Sequence, residues 1–159
     1  MNEKKLKQLQ IISFAMILSV VIFIPIIYFI EKFARFNKLF MDFQTTIENY
    51  SFYVSAFLII LIIALRKFIY FPSNIVKRTE EEAFNRWYTL DIVMMSIGST
   101  IGTIGFMAYL LGASYFKSIL IIMISVLDIF TLFPYKIRYE LRLKQLKEMK
   151  EDTGVGYFK

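Results

Sequence analysis

The chain has 159 residues, 57% of them apolar and 18% aromatic, with a mean hydropathy of +0.56, a formal charge of +6, and neither Cys nor His. Soluble domains run at about 45–50% apolar, so the excess points to lipid as the surrounding solvent. Without His or Cys, haem ligation by His, His or Cys zinc sites, iron–sulfur clusters, disulfides and Ser-His-Asp or Cys-His catalysis are excluded, and carboxylate, Lys, Tyr and Ser chemistry stays open.

A bilayer core of roughly 30 Å takes about 20 helical residues. Four stretches meet or approach that length: residues 11–30, 50–71, 87–111 and 115–133. The first follows Lys4, Lys5 and Lys7, as a secretory signal would, but it exceeds the usual core of about 7–15 residues and no small-residue cleavage site follows Ile30. It reads as a retained anchor. Pro25 removes a backbone donor inside it, which predicts a kink in its outer half and a freed carbonyl at Val21.

Between spans one and two, Phe33, Phe36, Phe40, Phe43 and Ile47 recur at alternating spacings of three and four, one apolar stripe on a helix. The stripe predicts an amphipathic helical segment that lies in the outer interface, extends span one, or docks a partner. Pro72 ends span two. Thr79 followed by Glu80, Glu81 and Glu82 has the form of a capping box, so the third helix starts near Glu80, in water, and enters the membrane at the headgroup-level pair Trp87 and Tyr88. Only Gly112 to Ser114 separate spans three and four, which predicts a tight antiparallel hairpin. After Pro134 a basic helical pattern, Tyr135 to Lys150, carries Tyr139, Leu143 and Leu146 on one side, and this tail (134–159) is expected in the cytoplasm, against anionic lipid or a partner.

Charge sets the orientation. The N-terminal segment, the connection between spans two and three, and the tail carry three, five and seven Lys or Arg, fifteen in all, against Lys32, Arg35, Lys38 and Lys117 on the other side. The positive-inside rule then places both termini in the cytoplasm, in a multi-pass protein of the cytoplasmic membrane. The positive charge is a topology signal, and no nucleic-acid partner is expected. The expected fold is therefore all-α: one domain of four transmembrane helices, built as two antiparallel hairpins, with too little chain outside lipid for a soluble catalytic domain.

Two sets of intramembrane residues stand out. Gly98 and Gly102 form GxxxG, and Gly105 extends nearly the same face, inside a run that also holds Ser96, Ser99, Thr100 and Thr103. Each Gly costs about 1 kcal/mol in a helix relative to Ala, so the cluster indicates close packing, either on the chain's own helices or in a homo-oligomer interface. Arg66, Asp91 and Asp128 come from three different spans at similar distances from Pro72, Trp87 and Pro134, which predicts one shared level roughly 6–9 Å inside the cytoplasmic boundary. Ionisable groups at such depth mark function by default. Asp128 pairs with Arg66 or Lys67, exchanges a proton or binds a cation with Ser125 one turn away, or contacts a partner subunit.

The Gly run followed by one buried acid, Gly98, Gly102, Gly105 and Asp128 within residues 87–133, resembles the hairpin of rotor-ring proteolipids of rotary ATPases. That resemblance implies ring packing through the Gly face and a coupling-ion acid. The Gly spacing is irregular, and residues 11–71 carry no matching Gly run or acid. There is no P-loop, HExxH or phosphotransfer carboxylate signature, and no cofactor is implied. The expected function is a non-enzymatic structural or accessory membrane subunit that associates through the small-residue face of span three, as a homo-oligomer or in a larger complex. The alternative is a small proton- or cation-conducting protein, rotor-ring-like or holin-like, that uses Asp128.

Overall fold

In the computed structural model, residues 3–33, 41–69 and 78–152 are described, and among them the fold is all-helical. In chain order the helices are α1 (Glu3–Val21), α2 (Phe23–Phe33), a 3-10 turn (Met41–Phe43), α3 (Gln44–Ile69), α4 (Glu80–Leu111), α5 (Tyr115–Thr131) and α6 (Lys136–Asp152). Three helical stretches, Glu3–Phe33, Gln44–Lys67 and Glu80–Leu111, are long and apolar enough to cross a membrane. A fourth joins them when α5 and α6, bent by 53° to one another, count as one. Alone, the 17 residues of α5 reach about 26 Å, a little short of a bilayer core.

The local signals in the sequence produce these elements. The first span divides at Ile22, three residues before Pro25, and the Ile26 N–H to Ile22 carbonyl bond beside the break is stretched to 3.4 Å. Thr79 caps α4 as a complete box: Glu82 N–H donates to Thr79 Oγ1 at 3.3 Å and Thr79 N–H donates to Glu82 Oε2 at 3.0 Å. Gly112, at φ 137°, closes α4 in a backbone conformation that only glycine adopts without strain, and its N–H returns to the carbonyls of Ala108 and Tyr109. The hairpin from α4 to α5 follows directly.

α4 is the hub. It lies along α5 over its length and also packs against α1 and α3, whereas no substantial contact joins α1 or α2 to α3. The first two spans therefore do not form the expected hairpin with each other; both are held by α4, which offers buried faces to several neighbours. The α5-facing side holds Gly98, Gly102 and Gly105, all buried. The α1 side holds Met95, bonded through sulfur by Ser13 Oγ at 3.0 Å, and Phe106, stacked on Phe23 of α2 at 4.6 Å. A further buried stripe, Met94, Ile101 and Ala108, lies away from α1, and α3 is the remaining neighbour of α4.

The surface is apolar where a soluble bundle would be charged. Ile11, Phe14 and Leu18 on α1, Tyr53, Phe57 and Ile60 on α3, and Phe116, Leu127 and Phe130 on α5 are all exposed. Most of α3 faces outward; Glu48, Ser55 and Ile62 are its buried residues. The apolar stripe expected after span one divides between elements: Phe33 ends α2, Phe43 belongs to the 3-10 turn and Ile47 to α3, while Phe36 and Phe40 lie outside the described residues.

The tail also differs from expectation. α6 turns back onto the N-terminal ends of α1 and α4, and Tyr139 and Leu146 are fully buried there. Lys136 meets Glu3 at 3.3 Å, Lys147 meets Glu80 at 3.4 Å, and Lys150 Nζ donates to the Arg78 carbonyl at 2.6 Å. The apolar side of the tail is thus spent within the chain. Trp87 lies under α6, 4% exposed, and does not sit at an outer boundary.

Gly102 is the tightest point of the helix crossing. A Cβ placed there would meet Val20 Cγ1 at 2.5 Å and Ser125 Oγ at 2.9 Å. Gly102→Leu is expected to destabilise the detergent-solubilised protein toward the upper end of about 1–3 kcal/mol, whereas Ser96→Ala on the exposed side of α4 changes stability by less than about 0.5 kcal/mol. Thermal unfolding followed by circular dichroism checks this, and equal stability of the two variants would refute the packing argument.

Candidate functional site

The intramembrane acids singled out in the sequence, Asp128 and Asp91, belong to two different buried clusters. The deeper one lies where α5 crosses α4. Ser125 Oγ donates to the Gly98 carbonyl at 2.6 Å, a side-chain bond between helices whose hydroxyl lies 2.9 Å from where a Cβ at Gly102 would stand. Asp128, one turn further along α5, brings Oδ2 to 3.2 Å from the position that a Gly98 Cβ would occupy. That oxygen is shielded from solvent and has no hydrogen-bond partner among the described residues. Arg66 on α3 is exposed and acts on Asp128 as a charge through space, but no ion pair joins them, and none joins Lys67 to Asp128, among the described residues. The expected Arg66–Asp128 or Lys67–Asp128 pair is therefore absent from this arrangement.

The shallower cluster centres on Asp91, which is 1% exposed. Tyr139 donates its hydroxyl to Asp91 Oδ2 at 2.5 Å and Arg142 donates from Nη1 to the same oxygen at 3.2 Å. The guanidinium of Arg142, itself only 10% exposed, lies 5.0 Å from the Tyr139 ring and 5.9 Å from the Trp87 ring. A buried carboxylate is thereby matched by a planar cation sandwiched near two aromatic faces, the setting in which arginine serves better than lysine.

The three charged residues do not share one level. Asp128 lies opposite Gly98, seven residues beyond Asp91 on α4, which separates the two acids by about 10 Å along the axis. The sequence estimate used Trp87 as the membrane boundary, and the burial of Trp87 beneath α6 removes that reference point. Asp91 faces the tail helix, and Asp128 faces the hairpin crossing.

Gly98, Gly102 and Gly105 contact Ile129 and Asp128, Val20 and Ser125, and Ile122, Ser118 and Ile121 respectively, all within the chain. The glycine face is thus a helix-packing surface against α5 and α1 of the same chain. The outward side of α4 is different: Thr89, Ser96, Thr100 and Thr103 are exposed there, with Val93 and Met107 between and beyond them. Each hydroxyl donates to the carbonyl four residues back, at 2.9–3.2 Å.

No family model, no curated protein and no solved structure matches this chain. The geometry alone therefore carries the reading.

Two acids that fasten the end where α4 turns into α5 carry no signal of that role in the sequence. Glu48, 6% exposed, accepts from the Ser114 N–H at 2.9 Å, from Lys117 at 2.6 Å and from Gln44 at 3.0 Å. It places a carboxylate from α3 at the start of α5, where Ser114 makes no side-chain cap of its own. Glu31 on α2 accepts from the Tyr109 hydroxyl at 2.5 Å. Only the i, i+4 spacing of Gln44 and Glu48 was visible in the sequence; their long-range partners required the fold. Arg142 was equally hidden, because on α6 it has the same local context as the exposed lysines around it.

Removal of Arg142 leaves Asp91 buried without its cation. Arg142→Ala is expected to cost about 3–5 kcal/mol, Tyr139→Phe about 1.5–3 kcal/mol for a lost bond to a charged group, and Lys144→Ala, at an exposed ion pair, less than about 0.5 kcal/mol. Chemical denaturation in detergent ranks them, and an Arg142→Ala variant no weaker than Lys144→Ala would show that the cluster contributes nothing.

Proposed function

We propose that the chain is a multi-pass integral membrane protein with both termini in the cytoplasm, and that it works as a non-enzymatic structural or accessory subunit. The observation that carries the first part is the inversion of its surface: large aliphatic and aromatic side chains cover α1, α2, α3 and α5, and the buried polar groups are gathered inside. Such a surface is favourable only in contact with hydrocarbon. The fifteen-to-four division of basic residues supports the orientation. Of the buried acids, Asp91 is committed to Tyr139 and Arg142, which favours a structural over a chemical role for it.

Association then proceeds through the hydroxyl side of α4, with a second copy. This side carries small polar residues in the middle of an otherwise apolar perimeter, at a spacing (Ser96, Thr100, Thr103) that admits close approach of a parallel helix. Because the chain has no Cys, single substitutions report without background. Thr46→Cys, on the outer side, is expected to react with an impermeant maleimide on intact cells, and Gln145→Cys on α6 only after permeabilisation. Thr100→Cys is expected to form a disulfide-linked dimer in native membranes, and Phe57→Cys, exposed on α3, is not. The reverse labelling pattern would overturn the topology, and equal cross-linking at the two positions would overturn the interface.

A second reading rests on Asp128. A carboxylate oxygen enclosed without a donor is costly unless it takes up a proton or a cation, and this favours ion exchange at the α4–α5 crossing. Under this reading, vesicles reconstituted with the protein dissipate an imposed proton or cation gradient and Asp128→Asn abolishes the leak. No leak from the wild-type protein, or an unchanged leak from the variant, excludes it.

A further inference from the structure

The cytoplasmic start of α4 carries a cleft that neither buried cluster uses. It has a volume of about 520 Å³ and is lined by Arg78, Glu82, Asn85, Arg86, Thr89 and Leu90. Five of these recur at i, i+3, i+4, i+7 and i+8 along one side of α4, and Arg78 closes the cleft from the segment that precedes the helix.

The hydrogen-bonding capacity of this cleft is unevenly spent. Glu82 Oε2 is engaged by the Thr79 N–H in the capping box, and Thr89 donates its hydroxyl to the Asn85 carbonyl. Lys5 Nζ, 2.7 Å from Asn85 Oδ1, fixes that amide by its oxygen and leaves the NH2 group as a donor without a partner among the described residues. Arg86 makes no hydrogen bond, ion pair or ring contact among the described residues. Lys150 holds its ammonium on the Arg78 carbonyl at the rim. Two guanidinium groups, Arg78 and Arg86, thus line the cleft with one carboxylate, Glu82, that already accepts from the capping box, while Lys5 and Lys150 are held on Asn85 and on the Arg78 carbonyl.

The geometry points to a binding site for the phosphate of an anionic phospholipid, with the Arg86 guanidinium as its principal ligand and the Asn85 amide and Lys5 beside it. A guanidinium fork matches two phosphate oxygens. The depth selects a lipid over other anions: polar residues of the cleft give way to Leu90 and then Val93, so the site spans the headgroup layer where hydrocarbon begins. Basic pockets between helices on the cytoplasmic side hold such headgroups. This inference rests on the membrane reading above. It is separate from the exposed Lys144 on the outer side of α6, which pairs with Glu148 and does not line the cleft.

Native mass spectrometry of the full chain in mild detergent, titrated with phosphatidylglycerol or phosphatidylcholine, tests it. Phosphatidylglycerol is expected to bind at least about fivefold more tightly than phosphatidylcholine, the increment that one cation supplies. Arg86→Gln removes that preference, Arg86→Lys retains most of it, and Lys144→Gln leaves it unchanged. Excess glycerol 3-phosphate fails to displace the lipid. An Arg86→Gln/Arg78→Gln double variant with the wild-type preference overturns the site. Displacement by glycerol 3-phosphate at equal concentration also overturns it, by assigning the cleft to a soluble phosphate. Failure of the membrane reading takes a different form, with no lipid of either kind retained and no resistance of the protein to alkaline extraction from membranes.

Discussion

The arrangement depends on how closely α4 and α5 approach each other. Gly98, Gly102 and Gly105 bring the backbone of α4 against Ile129, Ser125 and the Ser118 carbonyl, at distances too short for a Cβ at 102 and tight for one at 98 and 105. Where lipid tails replace water, the hydrophobic effect no longer drives helices together, and packing contacts and interhelical hydrogen bonds must do so. The bond from Ser125 to the Gly98 carbonyl exists only because the helices are this close. Val20 of α1 enters at the same point, 2.5 Å from a Cβ position at Gly102, so one glycine fixes three helices. A larger residue there would separate α5 and α1 from α4 together.

Around that crossing, polarity is distributed by depth. Each end of the bundle is closed by a buried acid with donors from distant parts of the chain: Glu48 with Lys117 and Ser114 at the end where α4 turns into α5, Asp91 with Tyr139 and Arg142 at the end covered by α6. These acids have different weight from the exposed pairs Lys136–Glu140 and Lys144–Glu148, at 3.9 Å, which contribute about 0–1 kcal/mol each. A buried charge that loses its partner costs several times more than an exposed pair yields. The Asp91 cluster therefore ties the position of α6 to that of α4, and the tail becomes part of the fold.

What the sequence revealed and what it concealed follow from the range of each interaction. The long apolar runs, the Thr79–Glu82 box, the break near Pro25 and the Gly112 turn are all local, and local chemistry is written in adjacent residues. The return of α6 was concealed because Pro134 permits a bend without fixing its direction. Tyr139 and Leu146 were legible as a stripe, yet nothing nearby in the chain named Asp91 or Trp87 as what the stripe would cover. The same limit applies to Asp128: its depth in an apolar run was visible, but the absence of a contact with Arg66 depends on how α3 packs, which no spacing encodes.

The small residues of α4 show how a composition signal divides once it has geometry. Read together, the run from Ser96 to Gly105 is one cluster; at about 100° per residue it separates into two opposite sides. The glycines face inward, since a residue without a side chain leaves nothing to satisfy and allows the nearest approach. The hydroxyl residues face outward, since a Ser or Thr bonded to the carbonyl four residues back can meet hydrocarbon without a free donor. That self-satisfaction has a consequence for assembly. A hydroxyl already bonded within its helix gains little from a partner's polar group, and interhelical side-chain bonds in membranes average only about 0.6 kcal/mol. Under the proposed association, attraction across this side would come chiefly from close van der Waals contact, and its strength would follow the size of residues 96, 100 and 103 more than their polarity.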